Sequence, residues 1–272
     1  MSYSSNLIFQ LAAAWDVFFT RKLPSFLYGE KGEVETIDGK PAQALMLLPL
    51  VGGLLGFALG LPIWLVGLSG RPVAAALLGG VIIPLIVELL TNGRDGKALS
   101  LFLEARRKGK TVEEALTPEK TTKSGDIAGA TPGFLLKFSL YFIRMLMFGI
   151  LAYFQAWFWY IVIFCCSFFL RAELSSLSEP GAFGKNTFLP FPYETRKYHI
   201  YIALVICTLA GLFREIPFTL IGFGITALLT WLAKGVCLDT ISGINKFAIR
   251  VFAYGIEIVM LFLGVLFYAK SM

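Results

Sequence analysis

The chain has 272 residues, of which 57% are hydrophobic and 15% charged, and its mean hydropathy is +0.73. That is more apolar surface than a soluble core of this length can hide, which excludes a water-soluble globular domain, and the apolar runs do not alternate with polar residues as barrel strands would. A net charge of +6 remains to be placed.

The first predicted element is an interfacial amphipathic helix over residues 6–19, with Asp16 inside it and Arg21 and Lys22 after it, a poor pattern for a cleaved secretory leader. Apolar runs follow at 42–68, 73–90, 133–170, 199–213, 216–233 and 251–268. Most approach the roughly 20 residues that cross a hydrocarbon core. Between the second and third lies the largest polar insert, 91–132. It reads as a helix over GKALSLFLEARRKG, a short helix TVEEAL with Thr111 as N-cap, and a loop through Gly125, Gly129 and Gly133. As one helix, the run 133–170 would be about 55 Å long, well beyond a bilayer core, so it holds either two tightly joined spans or one span with a long extension.

Charge decides between these, because short cytoplasmic loops are rich in Lys and Arg. With two spans in 133–170, one side collects Arg21, Lys22, Lys31, Lys40, eight basic residues from Arg94 to Lys123, then Arg171, Lys185, Arg196, Lys197, Lys234, Lys246 and Arg250. The other side keeps Arg71, Arg214 and Lys270. The expected architecture is an all-α polytopic bundle of about seven spans, one membrane domain over 1–272, in the cytoplasmic membrane with the N-terminus and polar loops cytosolic. The same asymmetry accounts for a pI near 9.1 without a nucleic-acid groove.

Several residues carry two readings. Cys165, Cys166, Cys207 and Cys237 lack metal-like spacing and read as free membrane thiols. His199 opens the fifth span and reads as interfacial. The cluster WFWY at 157–160 suits an aromatic belt at the outer end of the fourth span. GAFGKNT at 181–187 lacks the spacing of a P-loop. Arg144 lies deep in the third span, so it either snorkels or marks a functional site.

Five stretches, in order, then point to a family. GVCLDTISGIN, Gly235 to Asn245, resembles the GVTGDTLGAIN segment of the cobalamin synthase family, the adenosylcobinamide-GDP ribazoletransferases. FFTRKLP at 18–24 is similar to that family's FLTRIP, and LPLVGGLLGFALGL at 48–61 to its FPLVGLLLGLLL. GKTVEEAL at 109–116 resembles GRDRERAL, and SGDIAGATPG is a looser likeness of DSRIGAFG. The resemblance implies a membrane transferase that joins α-ribazole, usually as its 5′-phosphate, to GDP-activated adenosylcobinamide with release of GMP and with Mg²⁺ present. Corrinoid nucleotide, ribazole phosphate and the lipid bilayer are the partners it implies, and a homo-oligomer is compatible with it.

In that family the break after the second span reads approximately DGLADTAD, three carboxylates on one helical face where they share metal ions. Here the aligned stretch is DGKALSLF, 95–102, with Leu99 and Phe102 where the second and third acids belong. Asp95 and Asp239 are the residues the resemblance marks as catalytic, and with Glu88, seven residues before Asp95, they are the candidate metal ligands. Each has a plain alternative: Asp95 favours a helix dipole, Asp239 caps the next helix, and Glu88 reaches interfacial water from a helix end. Glu104 reads as a solvated partner of Arg107 or Lys108. Arg106, Arg107, Lys108 and Lys110, with Arg144, are the candidates for binding substrate phosphates. Two function classes follow: the transferase itself, or a catalytically impaired relative that binds corrinoid or acts as a membrane scaffold. An unrelated channel or transporter is less suited, since the spans hold few polar groups and no clear inverted repeat.

Overall fold

A computed structural model describes residues 11–12, 14–15, 46–116, 131–175, 196–213, 216–241 and 246–269. Among them the regular structure is helical throughout: α1 Leu48–Leu68, α2 Pro72–Thr91, α3 Arg94–Arg107, α4 Val112–Leu116, α5 Thr131–Tyr153, α6 Phe158–Ser175, α7 Arg196–Gly211, α8 Ile216–Ile241 and α9 Lys246–Ala269. Six of these contain segments long and apolar enough to cross a membrane, and Tyr198–Gly211 of α7 adds a shorter apolar helix. Pro49, Pro72, Pro132 and Pro217 each fall in the first two residues of a helix, where a missing N–H leaves no bond unmade. Inside α2 one π-helical stretch, Leu78–Ile82, lets Gly79 and Gly80 lie against α5.

The run 133–170 does split into two helices. Its break, residues 154–157, contains neither Gly nor Pro. Instead Gln155 takes the left-handed conformation at φ 58°, while Ala156 N–H donates to Leu151 O at 2.9 Å and Gln155 N–H to Ala152 O at 3.1 Å. Those two bonds form a Schellman motif, which satisfies the last carbonyls of α5 before the chain reverses. The tight connections between α1 and α2, α5 and α6, α7 and α8, and α8 and α9 make each pair antiparallel neighbours. Consequently α3, the end of α2, the start of α5, the end of α8 and the start of α9 gather at one end of the bundle.

Helix α6 is the axis of the fold. Burial covers 94% of its span, against 22% for the span in α5, and it packs mainly on α1 and further on α9, α7 and α8. The aromatic cluster at its start therefore does not form a lipid-facing belt. Trp159 and Tyr160 are fully buried, and Trp157 nearly so. Trp159 Nε1–H donates to Met260 O at 2.8 Å and the Tyr160 hydroxyl to Phe148 O at 2.9 Å, so these rings knit α6 to α9 and α5. A belt position needs one side of the ring in lipid, and here helices close every side. His199 is likewise buried rather than interfacial, with Nε2 2.7 Å from Glu173 Oε2. All four cysteines are buried and unbridged.

The segment 18–24, the loop glycines 125 and 129, most of SGDIAGATPG, the GAFGKNT stretch, Asp16, and residues 242–245 of the C-terminal stretch lie outside the described residues.

Close approach of α1 to α6 depends on Gly56, where a Cβ would fall 2.6 Å from Ile161 Cα and also meet Tyr160 O. Gly56→Ala is expected to destabilise the bundle by about 1–3 kcal/mol through overpacking. Gly224→Ala on α8, with open space around its Cβ position, should change stability little. Thermal unfolding in detergent compares the two, and equal midpoints would contradict the close packing assigned to Gly56.

Candidate functional site

Where α2 ends, the chain turns through two consecutive left-handed residues, Asn92 at φ 53° and Gly93 at φ 63°. Gly93 N–H donates to Glu88 O at 2.9 Å, closing α2 and starting α3 at once. A Cβ on Gly93 would sit 3.1 Å from Glu88 Oε2 and 3.3 Å from Lys137 Nζ, so a side chain here would crowd the Glu88 carboxylate. This turn delivers Asp95 to the second helical position of α3, facing into the bundle at 6% exposure.

Two ion-pair groups meet there. In the first, Arg171 of α6 donates to Asp95 Oδ2 at 2.5 Å, and Arg250 Nε of α9 lies 3.7 Å from Asp95 Oδ1. The second is centred on Arg144, which does not snorkel: its side chain is fully buried. One terminal nitrogen donates to Glu88 Oε1 at 3.2 Å and to the Tyr254 hydroxyl at 3.3 Å, and the other to Glu257. The guanidinium carbon stands 4.7 Å from the centroid of the Tyr254 ring. Thr91, Asp95, Ser167, Arg171 and Glu257 border a cavity of about 10 Å³ between the two groups. That is near the smallest space that holds one water, and these side chains offer it several partners.

The structure brings together Asp95, Glu88 and Arg144 of the residues singled out from sequence, but joins the acids through arginines. Asp239 is exposed near the end of α8, and no hydrogen bond or ion pair between described residues links it to Asp95 or Glu88. Arg106, Arg107, Lys108 and Lys110 are exposed at the far end of α3, about 16 Å along the helix from Asp95. There they pair locally: Lys108 with Glu104 at 2.7 Å, as the helical spacing suggests, and Arg106 with Lys110 O at 2.6 Å. Thr111 caps α4 in a reciprocal box, its Oγ1 accepting from Glu114 N–H at 3.2 Å while its own N–H donates to Glu114 Oε2 at 2.9 Å.

Magnesium coordination needs several carboxylate or water oxygens free to converge on one point. Asp95 turns both oxygens to arginines, Glu88 and Glu257 share Arg144, and among the described residues no three His, Cys, Asp or Glu side chains group around a possible ion. Leu99, 8% exposed, belongs to the apolar core, and Phe102 packs against it. The described donor set does not fit a magnesium site.

Glu257, Tyr254, Arg171 and Arg250 are the partners that sequence reasoning missed. Glu257 had a signal: it is the single acid in the run 251–268, as Arg144 is the single charge at the middle of the third span, and opposite charges buried in separate spans find each other. By composition Arg171 and Arg250 read as loop charges that orient the chain, and they lie instead just inside their helices.

Helices and buried ion pairs together define an all-α, multi-pass membrane protein with a charged cluster at one end of its bundle. No protein-family model, curated protein or solved structure matches the chain.

Removing one partner of a buried pair strands the others. Arg144→Gln is expected to destabilise the protein by about 3–5 kcal/mol, since it leaves Glu88 and Glu257 uncompensated. The triple substitution Arg144→Met, Glu88→Gln, Glu257→Met should recover most of that loss. Unfolding of all three proteins in mixed detergent tests this, and a single mutant as stable as wild type would show that the cluster is not structural.

Proposed function

We propose that the chain is a membrane-embedded relative of the adenosylcobinamide-GDP ribazoletransferases that binds a corrinoid nucleotide without metal-dependent phosphoryl transfer. One observation carries the reading. On the face of α3 where the family's motif sets three acids, Asp95 is held between Arg171 and Arg250, and Leu99 is part of the core. Attack of a ribazole hydroxyl on phosphorus requires the pyrophosphate charge to be neutralised and the alcohol deprotonated. Arginines supply the first of these, but a carboxylate locked to a guanidinium is a weak base. Losing a few kcal/mol of transition-state stabilisation slows a reaction about a hundredfold or more.

The fold supports the membrane half of this reading directly, and the excess of Lys and Arg on the α3 side supports a cytoplasmic membrane with the polar loops in the cytosol. The corrinoid half rests on the ordered resemblance of five segments. Asp239, exposed and within the segment most like the family's, favours the second reading, a transferase working with an unusual ligand set.

GMP release separates them. The purified protein in detergent receives magnesium, adenosylcobinamide-GDP and α-ribazole phosphate, alongside Asp95→Asn and Asp239→Asn variants, with corrinoid retention followed by its visible absorbance. The expected result is no GMP above background and retained corrinoid. Turnover abolished in both variants would establish the transferase instead, and absence of both turnover and corrinoid binding would end the family reading.

A further inference from the structure

Helix α7 runs antiparallel along the whole of α6. His199 Nε2 lies 2.7 Å from Glu173 Oε2 near one end, Cys165 Sγ donates to Ala203 O at 3.8 Å in the middle, and the Phe213 ring stands 4.8 Å from that of Trp157 at the other. The two helices therefore cross the bundle together, yet the apolar part of α7, Tyr198–Gly211, is only about 21 Å long at 1.5 Å per residue. Even the run to Phe213 reaches about 24 Å. The candidate spans in α1, α2, α8 and α9 hold 20 to 24 residues, which is about 30 Å or more. Apolar sequence cannot lengthen α7 at either end, because Lys197 precedes Tyr198, and Arg214 and Glu215 follow Phe213. A hydrocarbon core of about 30 Å thus exceeds this helix by about 6–9 Å.

The outer face of α7 is made for lipid. Tyr198, Tyr201, Val205, Leu209 and Leu212 recur every three or four residues and form one exposed stripe. A second membrane helix packs closely where residues are small, and the small residues of α7, Ala203, Ala210 and Gly211, are buried on the other side. Thr208, beside the stripe, spends its hydroxyl on Leu204 O at 2.8 Å. Acyl chains, with two tyrosines at the headgroup end, fit this stripe better than another protein helix does.

A span shorter than the core is accommodated by snorkelling, by oligomerising or by thinning the bilayer, whereas tilting only reduces its reach. We propose that the bilayer is thinned against the Tyr198–Leu212 face of α7, so that this edge of the bundle is a lipid-binding surface fitted to a hydrocarbon layer about two-thirds to four-fifths of the usual thickness. Both ends of α7 then reach headgroups without displacing the polar residues that flank it. The inference goes beyond the corrinoid reading and does not rest on it.

The test uses the full chain in dioleoylphosphatidylcholine bilayers, with one spin label at a time on Tyr198→Cys, Val205→Cys and Leu212→Cys. The four native cysteines are buried, and the wild type serves as the labelling blank. Depth is read from collisions with lipid-soluble oxygen against collisions with a water-soluble nickel chelate. The two end labels stand about 21 Å apart along the helix, so an ordinary core has to swallow at least one of them. The expected result is an oxygen-dominated signal at Val205→Cys and nickel-dominated signals at both Tyr198→Cys and Leu212→Cys. Oxygen dominance at either end label overturns the proposal, since that end would lie inside an unthinned core with its flanking charges snorkelling past it. Exclusion of both reagents at Val205→Cys, with dipolar broadening between copies, also overturns it by seating a second copy of the chain on the stripe. Should an end variant fail to insert, Tyr201→Cys or Phe213→Cys takes its place, both positions being exposed.

Discussion

Everything at the α3 end of this bundle depends on how Arg144 is neutralised. A guanidinium at mid-span is costly unless it is paired, and Arg144 is paired twice, with Glu88 of α2 and Glu257 of α9, and stacked on Tyr254. These contacts fix three helices to one point. They also require α2 to stop and turn beside α5, which is why the left-handed pair Asn92 and Gly93 follows so closely after Glu88. Once that turn is set, α3 must begin beside α9, and Asp95 is presented to Arg171 and Arg250.

Burial of charge explains why metal chemistry is a poor fit for these acids. A carboxylate in the cytosol-facing mouth of an enzyme can exchange water for magnesium at little loss. Asp95 and Glu257 border a cavity with room for about one water, and each is already held by an arginine. Displacing the arginine to admit an ion would strand a second charge in a low-dielectric setting. Leu99 and Phe102 continue the same logic, since the face below Asp95 packs against apolar side chains rather than facing water.

Much of the fold was legible in the sequence, because hydropathy, span length and the Lys and Arg distribution all report on the bilayer. The division of 133–170 was readable from charge but not from turn chemistry: a Schellman motif usually shows itself by glycine, and here Gln155 fills the left-handed position. The site was less legible. Asp95, Glu88 and Arg144 stood out as charges in apolar surroundings, whereas Arg171 and Arg250 looked like loop residues because helix ends cannot be placed to within a turn by composition. The ring cluster WFWY misled for a related reason: aromatic enrichment marks a membrane interface and a helix-packing core equally well.

Helix α6 has the lowest mean hydropathy of the six long candidate spans, 1.5, and is also the one that meets the least lipid. In the finished protein that is no contradiction, since neighbouring helices supply its surroundings. During synthesis it is. Three of the helices that enclose it, α7, α8 and α9, come later in the chain. When α6 leaves the ribosome, Arg171 already has Asp95 available from α3, but Ser167 and Cys165 must wait for their acceptors on α9 and α7. Its central place in the bundle therefore makes α6 the segment whose residence in the membrane is conditional, held first by α1 and the Asp95 pair and secured only when the C-terminal third of the chain arrives.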